Sequence, residues 1–160
     1  MKHSVIAILG GLLLSTYALA GDHGKKSMPA NTPPLYLTEC GSCHTAFPPV
    51  ALGAKEWRGV MANLSKHYGD NATLDAAPRQ EIENFLLANA GDDPAKVGAD
   101  GTARLTQGAW FKRRHNEVAA SIWRDPKIKS AANCAGCHTR AVEGSFRERE
   151  IVMPNGKRWE

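Results

Sequence analysis

Cys40-Gly41-Ser42-Cys43-His44 and Cys134-Ala135-Gly136-Cys137-His138 are two copies of one five-residue pattern, and together they hold all four cysteines of the chain. On one turn of helix, positions i and i+3 share a face. Both sulfurs of Cys-x-x-Cys therefore reach the two vinyl groups on one edge of a porphyrin. The following His is then close enough to put an imidazole nitrogen on the iron. Cys-x-x-Cys-His is the attachment signature of c-type haem, so Cys40, Cys43, Cys134 and Cys137 are read as attachment points for two covalent haems. His44 and His138 are read as the first ligand of each iron. A redox dithiol leaves the His after both pairs unexplained. A zinc ribbon separates its cysteine pairs by roughly 15–20 residues, whereas about ninety lie between these.

The N-terminus agrees with this chemistry. Lys2 and His3 form a short charged start, Val5 to Leu14 is apolar apart from glycines, and Ala18-Leu19-Ala20 has the small-x-small form of a cleavage site. The apolar run is well short of the ~20 residues that span a bilayer. Residues 1–20 are therefore expected to be a cleaved signal peptide rather than a membrane anchor. No later segment is apolar enough to insert. A periplasmic location is expected, since thioether attachment in bacteria follows export. Nothing in the sequence calls for a nucleic-acid partner.

The formal charge of +4 is unevenly spread: residues 21–100 carry −3 and residues 101–160 carry +6. The basic half is either a docking face for an acidic partner or a counterweight to the haem propionates. So short a chain buries little surface without a staple. A haem is an apolar core element and a cross-link together, so each half can fold around its own porphyrin. The fold class expected is mainly α: an N-terminal helical haem domain over 35–95 and a less regular C-terminal haem domain over 96–160, behind a flexible leader at 21–34.

Periodicity fills in the halves. Leu35 to Glu39 allows a short helical turn before the first motif. Trp57, Met61, Leu64 and Tyr68 recur at helical spacing, widened by Val60, with Gly69 as the stop. A second helix is expected from near Pro78, capped by Asp75, burying Ile82, Phe85, Leu86 and Ala90 and ending at Gly91. Gly91 to Gly101 has loop composition. Thr106 is placed to cap a third helix with Phe111, His115, Val118 and Ile122 on one face, ended by Asp125-Pro126. The tail 139–160 is expected to wrap irregularly on the second haem.

The second ligand of each iron decides the chemistry: two strong-field ligands make an electron carrier, and an open face allows gas binding or peroxide chemistry. Two irons lack partners, and His67 and His115 each lie beside an aromatic-rich apolar stripe, one in each half. They are the candidate ligands. His23 sits in the leader and is set aside. Met28, Met61 and Met153 compete, but Met61 fits better as a core residue beside Trp57 and Leu64.

With these residues placed, the chain resembles the small dihaem cytochrome c family of proteobacteria. The resemblance rests on Glu39 to His44, Phe47-Pro48-Pro49, Trp57, Met61, Leu64, His67-Tyr68-Gly69, Ile82 and Asn89-Ala90. In the second half it rests on Arg104-Leu105-Thr106, Trp110, His115, Trp123, Asn133 to His138, Ala141, Gly144, Phe146 and Pro154. It implies a class I cytochrome c-like N-terminal domain and bis-His irons, His44 with His67 and His138 with His115. It also implies a periplasmic electron shuttle, not an enzyme, associated with a small oxygen-binding monohaem cytochrome and membrane cytochromes of the b type. Three other readings are weighed: the small dihaem subunit of a periplasmic nitrate reductase, a dihaem peroxidase, and a gas-binding haem protein. The last two need an open iron face.

Overall fold

The computed structural model describes residues 28–92, 97 and 103–159. The expected signal peptide, His23, most of the leader and most of the loop around Pro94 lie outside these residues. The described chain is mainly helical, as expected, with only isolated β-bridges among its described residues. Its α-helices are α1 (Pro34–Gly41), α2 (Ala54–Ala62), α3 (Ala76–Ala88), α4 (Ala109–Arg114) and α5 (Ala120–Trp123), joined by short 3₁₀ turns.

Helix α1 is longer than the single turn expected before the first motif. Pro33 and Pro34 start it, because a proline lacks an N–H that the first turn would leave unpaired anyway. It runs into the motif and carries Cys40. Tyr36 is buried on its inner side; its hydroxyl donates to the Phe47 carbonyl and its ring lies 5.2 Å from that of Phe85. Helix α2 turns Trp57 and Met61, one turn apart, into the core. Helix α3 packs on α2 and buries Ile82, Phe85 and Leu86, as the sequence pattern predicts. Complete burial of Ile82 and Leu86 stabilises by about 1.5–3 kcal/mol each. Asp75 occupies the N-cap of α3, but its side chain makes no capping bond; the backbone carbonyl alone accepts, from Arg79 N–H at 3.0 Å.

Three further expectations are corrected. The helix from Trp57 does not continue to Tyr68. It ends at Ala62, where the Asn63 side chain donates to the Gly59 carbonyl at 2.8 Å. Such local side-chain bonds compete with helix continuation. Thr106 is no helix cap, since it lies inside a 3₁₀ turn, Leu105–Gln107, and Gly108 precedes α4. The third helix is split. The carbonyl of Phe111 accepts both the backbone N–H and the ring Nδ1 of His115, at 3.2 and 2.9 Å. This holds His115 at φ −123°, outside helical geometry, and α5 begins only at Ala120.

The core is lopsided. One cluster holds Met28, Tyr36, Ala46, Leu52, Trp57, Met61, Ile82, Phe85, Leu86 and Leu105. Beyond Leu105 the buried apolar side chains among the described residues are Ile128, Ala141 and Pro154. The C-terminal half is built instead of the short helices α4 and α5, 3₁₀ turns and a tail that returns to the second motif. Val152 N–H donates to the Cys137 carbonyl at 3.0 Å, and His138 bridges Ile151. An Arg140–Glu143–Glu150 ion-pair group, with Ser145 donating to Glu150, pins that return.

Candidate haem sites

The second motif forms one helical turn. The N–H groups of Cys137 and His138 both donate to the Cys134 carbonyl, at 3.2 and 2.8 Å. Cys134 and Cys137 therefore share a side, with His138 next to them. Asn133 presents the turn by donating to the Ile128 carbonyl at 3.0 Å. The first motif leaves from the last turn of α1, steadied by Ser42 Oγ, which donates to the Glu39 carbonyl at 3.0 Å.

Each motif histidine faces one of the two candidate partners. His44 and His67 have ring centres 6.2 Å apart, and so do His115 and His138. Two metal–imidazole bonds of about 2.0 Å, with each ring centre roughly 1 Å behind its nitrogen, require about 6 Å. Both gaps fit one metal ion between two imidazoles. The pairing runs within each half.

His67 arrives by a route the sequence pattern did not show. His67 and Asp70 exchange backbone hydrogen bonds of 2.9 and 3.1 Å across a two-residue turn. Tyr68 and Gly69 at its centre have φ of 52° and 113°. Such double-positive turns favour glycine. Arg104 lies 5.4 Å from the Tyr68 ring centre and ties the start of the second half to this turn.

The electrostatics suit ligation. Burial, then the neighbouring His44, lowers the pKa of His67; burial, then His115, lowers that of His138. Neutral imidazole is the ligating form. His44 Nδ1 lies 2.8 Å from the Thr45 carbonyl and His115 Nδ1 2.9 Å from that of Phe111. Donation from Nδ1 leaves the lone pair on Nε2. Burial pushes the thiols of Cys40 and Cys134 up to about 11. Reactive dithiols carry lowered values, so the redox-dithiol alternative loses ground. Zinc also finds no site: among the described residues no three His, Cys, Asp or Glu side chains converge.

The surroundings fit a large apolar disc. A cleft of 320 Å³ is lined by Leu37, Cys43, His44, Ala46, Ala135 and Val142, among others. Leu37 and Val142 are two of the few large apolar side chains left exposed. In the C-terminal half, where an aliphatic core is missing, Phe111, Trp123 and Phe146 gather round the imidazole pair. Thr45 and Ala135 join the motifs, Ala135 N–H donating to Thr45 Oγ1 at 3.4 Å. The sequence pattern puts Phe111 on one face with His115, but it does not show this bridge, although Thr45 directly follows the first motif. Of the rival methionines, Met61 is buried beside Trp57, Met28 is buried against Gly144, and Met153 is half-buried in the tail.

Two Cys-x-x-Cys-His turns, each with a second imidazole across a one-metal gap, define a c-type cytochrome with two haems. The chain belongs to the dihaem cytochrome c family, whose profile matches residues 36–146. It is similar to the dihaem cytochrome c of Shewanella baltica OS155, at 36% identity and TM-score 0.69 over 81% of this chain and 100% of that one. It is also similar to two structures of the dihaem cytochrome c of Rhodobacter sphaeroides. One is 42% identical (TM-score 0.62; 72% of this chain, 97% of that one) and the other 41% (TM-score 0.64; 72% and 98%). A comparison with curated proteins finds no match. Membership brings two covalently bound c-type haems and haem-based electron transfer.

Proposed function

We propose that the protein is a periplasmic one-electron carrier rather than an enzyme, with both irons low-spin and bis-His. Cys40 and Cys43 hold one haem, ligated by His44 and His67. Cys134 and Cys137 hold the other, ligated by His138 and His115. The observation that carries this reading is the 6.2 Å separation shared by the two imidazole pairs. When bound, the haems supply reversible Fe(III)/Fe(II) chemistry. The chain's residues do the rest: paired imidazoles would close both faces of each iron, half-buried Phe111, Trp123 and Phe146 line the second pair, and the Thr45–Ala135 contact holds the two attachment turns together for internal transfer.

Its partners are redox proteins. The small oxygen-binding monohaem cytochrome and the membrane b-type cytochrome implied by the sequence resemblance are proposed for that role. Neither nucleic acid nor membrane insertion enters this reading. Among the described residues, no helix is long and apolar enough to cross a membrane.

Replacement of either second ligand tests the assignment. His67→Ala should turn the N-terminal haem high-spin, and His115→Ala the C-terminal one, with both haems still attached by mass. A spectrum that stays fully low-spin in either variant would place that ligand elsewhere.

A further inference from the structure

The two imidazole pairs share a separation but not an angle. The rings of His44 and His67 lie 17° from parallel, and those of His115 and His138 lie at 82°. We infer that the chain makes two electronically distinct irons from one ligand set, with a near-parallel pair in the N-terminal half and a near-perpendicular pair in the C-terminal half, and that the C-terminal iron is reduced first. This rests on the bis-His ligation proposed above.

Different contacts fix the rings. His44 is held by its Nδ1 contact with the Thr45 carbonyl and by Phe47, 4.9 Å away at 31°. His67 is set by its tight turn and by Tyr68 at 5.0 Å. His115 is doubly held: its Nδ1 meets the Phe111 carbonyl, and its ring stacks on the Phe111 ring at 4.1 Å and 23°. Trp123 meets it at 60°. His138 lacks such a bond, since its Nδ1 is buried with no partner. Its orientation comes from Phe146, 5.3 Å away at 60°, and from the backbone bridge to Ile151. Phe111 is thus the positioning residue for the second pair, acting through His115.

The consequence follows from orbital symmetry. An imidazole donates π density only perpendicular to its own ring. Parallel rings both raise the same iron d orbital and split it from its partner. Perpendicular rings raise one orbital each and leave the two nearly degenerate. The parallel arrangement stabilises Fe(III), whose electron hole occupies the raised orbital, so the perpendicular site is easier to reduce. Local charge acts the same way. Ligand type, net charge and hydrogen bonding set haem potentials, and residues 101–160 carry +6 against −3 for residues 21–100. Each reduction is one electron per iron, supplied in the test by dithionite.

Electron paramagnetic resonance of the oxidised holoprotein tests this directly. The expected result is two low-spin signals of equal weight, one rhombic and one strongly anisotropic with a distinctly larger maximum g value. Two signals of the same type would overturn the inference. Stepwise reduction should remove the anisotropic signal first, and the reverse order would overturn the assignment of the first electron. Phe111→Leu should move only the anisotropic signal; movement of the rhombic signal, or of neither, would remove Phe111 from its positioning role. A high-spin signal in the unaltered protein would instead contradict bis-His ligation itself, which separates the two failures.

Discussion

His67 owes its place to where α2 stops. Asn63 ends that helix, and a two-residue turn through Tyr68 and Gly69 aims the imidazole at His44. Gly69 has no atom within 4 Å of an added Cβ, so its φ of 113° is its whole constraint. Gly69→Ala should therefore cost about 1–3 kcal/mol through backbone strain and disturb the spectrum of the N-terminal haem. Thermal unfolding and optical spectra check this; an unchanged melting temperature would show that the turn relaxes freely. All eight proposed attachment and ligand positions stand out in the sequence because each is a Cys or His with a count to satisfy. The residues that orient them do not. Helical spacing puts Phe111 on the face of His115 without showing that its ring stacks on the imidazole, and no spacing connects Phe146 with His138.

At the scale of elements, helices buried on one continuous face were legible and those interrupted by side-chain bonding were not. Ile82, Phe85 and Leu86 mark α3 correctly because its backbone ladder runs unbroken to Ala88, and the Asn89 side chain donates to the Phe85 carbonyl, at 2.9 Å, only at its end. The run from Phe111 to Ile122 keeps helical spacing, yet the ring of His115 claims the Phe111 carbonyl and the helix splits there. Gly91 was read as a helix stop. Its larger role is steric: the chain passes so close to the turn after Pro48 that a Cβ at Gly91 would lie 2.3 Å from the Val50 carbonyl oxygen. Its N–H meanwhile donates to the Leu52 carbonyl at 2.9 Å. Gly91→Ala should destabilise by about 1–3 kcal/mol, the usual cost of overpacking against atoms that cannot swing away. Denaturant unfolding of the holoprotein measures it, and a loss below about 0.5 kcal/mol would mean the two segments are not so closely apposed.

Across the whole molecule several contacts among the described residues stitch the halves: Leu105 in the N-terminal core cluster, Met28 against Gly144, Arg104 over Tyr68, and Ala135 on Thr45. None was visible in the sequence, because each joins residues far apart in the chain that carry no pattern in common. The charge asymmetry was visible, and the structure gives it a location. Lys112, Arg113 and Arg114 form the exposed last turn of α4, directly before His115. Reversing all three to Glu should slow oxidation of the reduced protein by ferricyanide at low salt, with the difference shrinking as salt screens the field. Equal rates at low salt would assign these residues to solvation alone. With both irons closed by the four proposed imidazoles, carbon monoxide added to the reduced holoprotein has no open face to bind. The Soret spectrum is predicted to stay unchanged, while a rapid shift stoichiometric with either haem would contradict bis-His ligation and favour a gas-binding or peroxidase role.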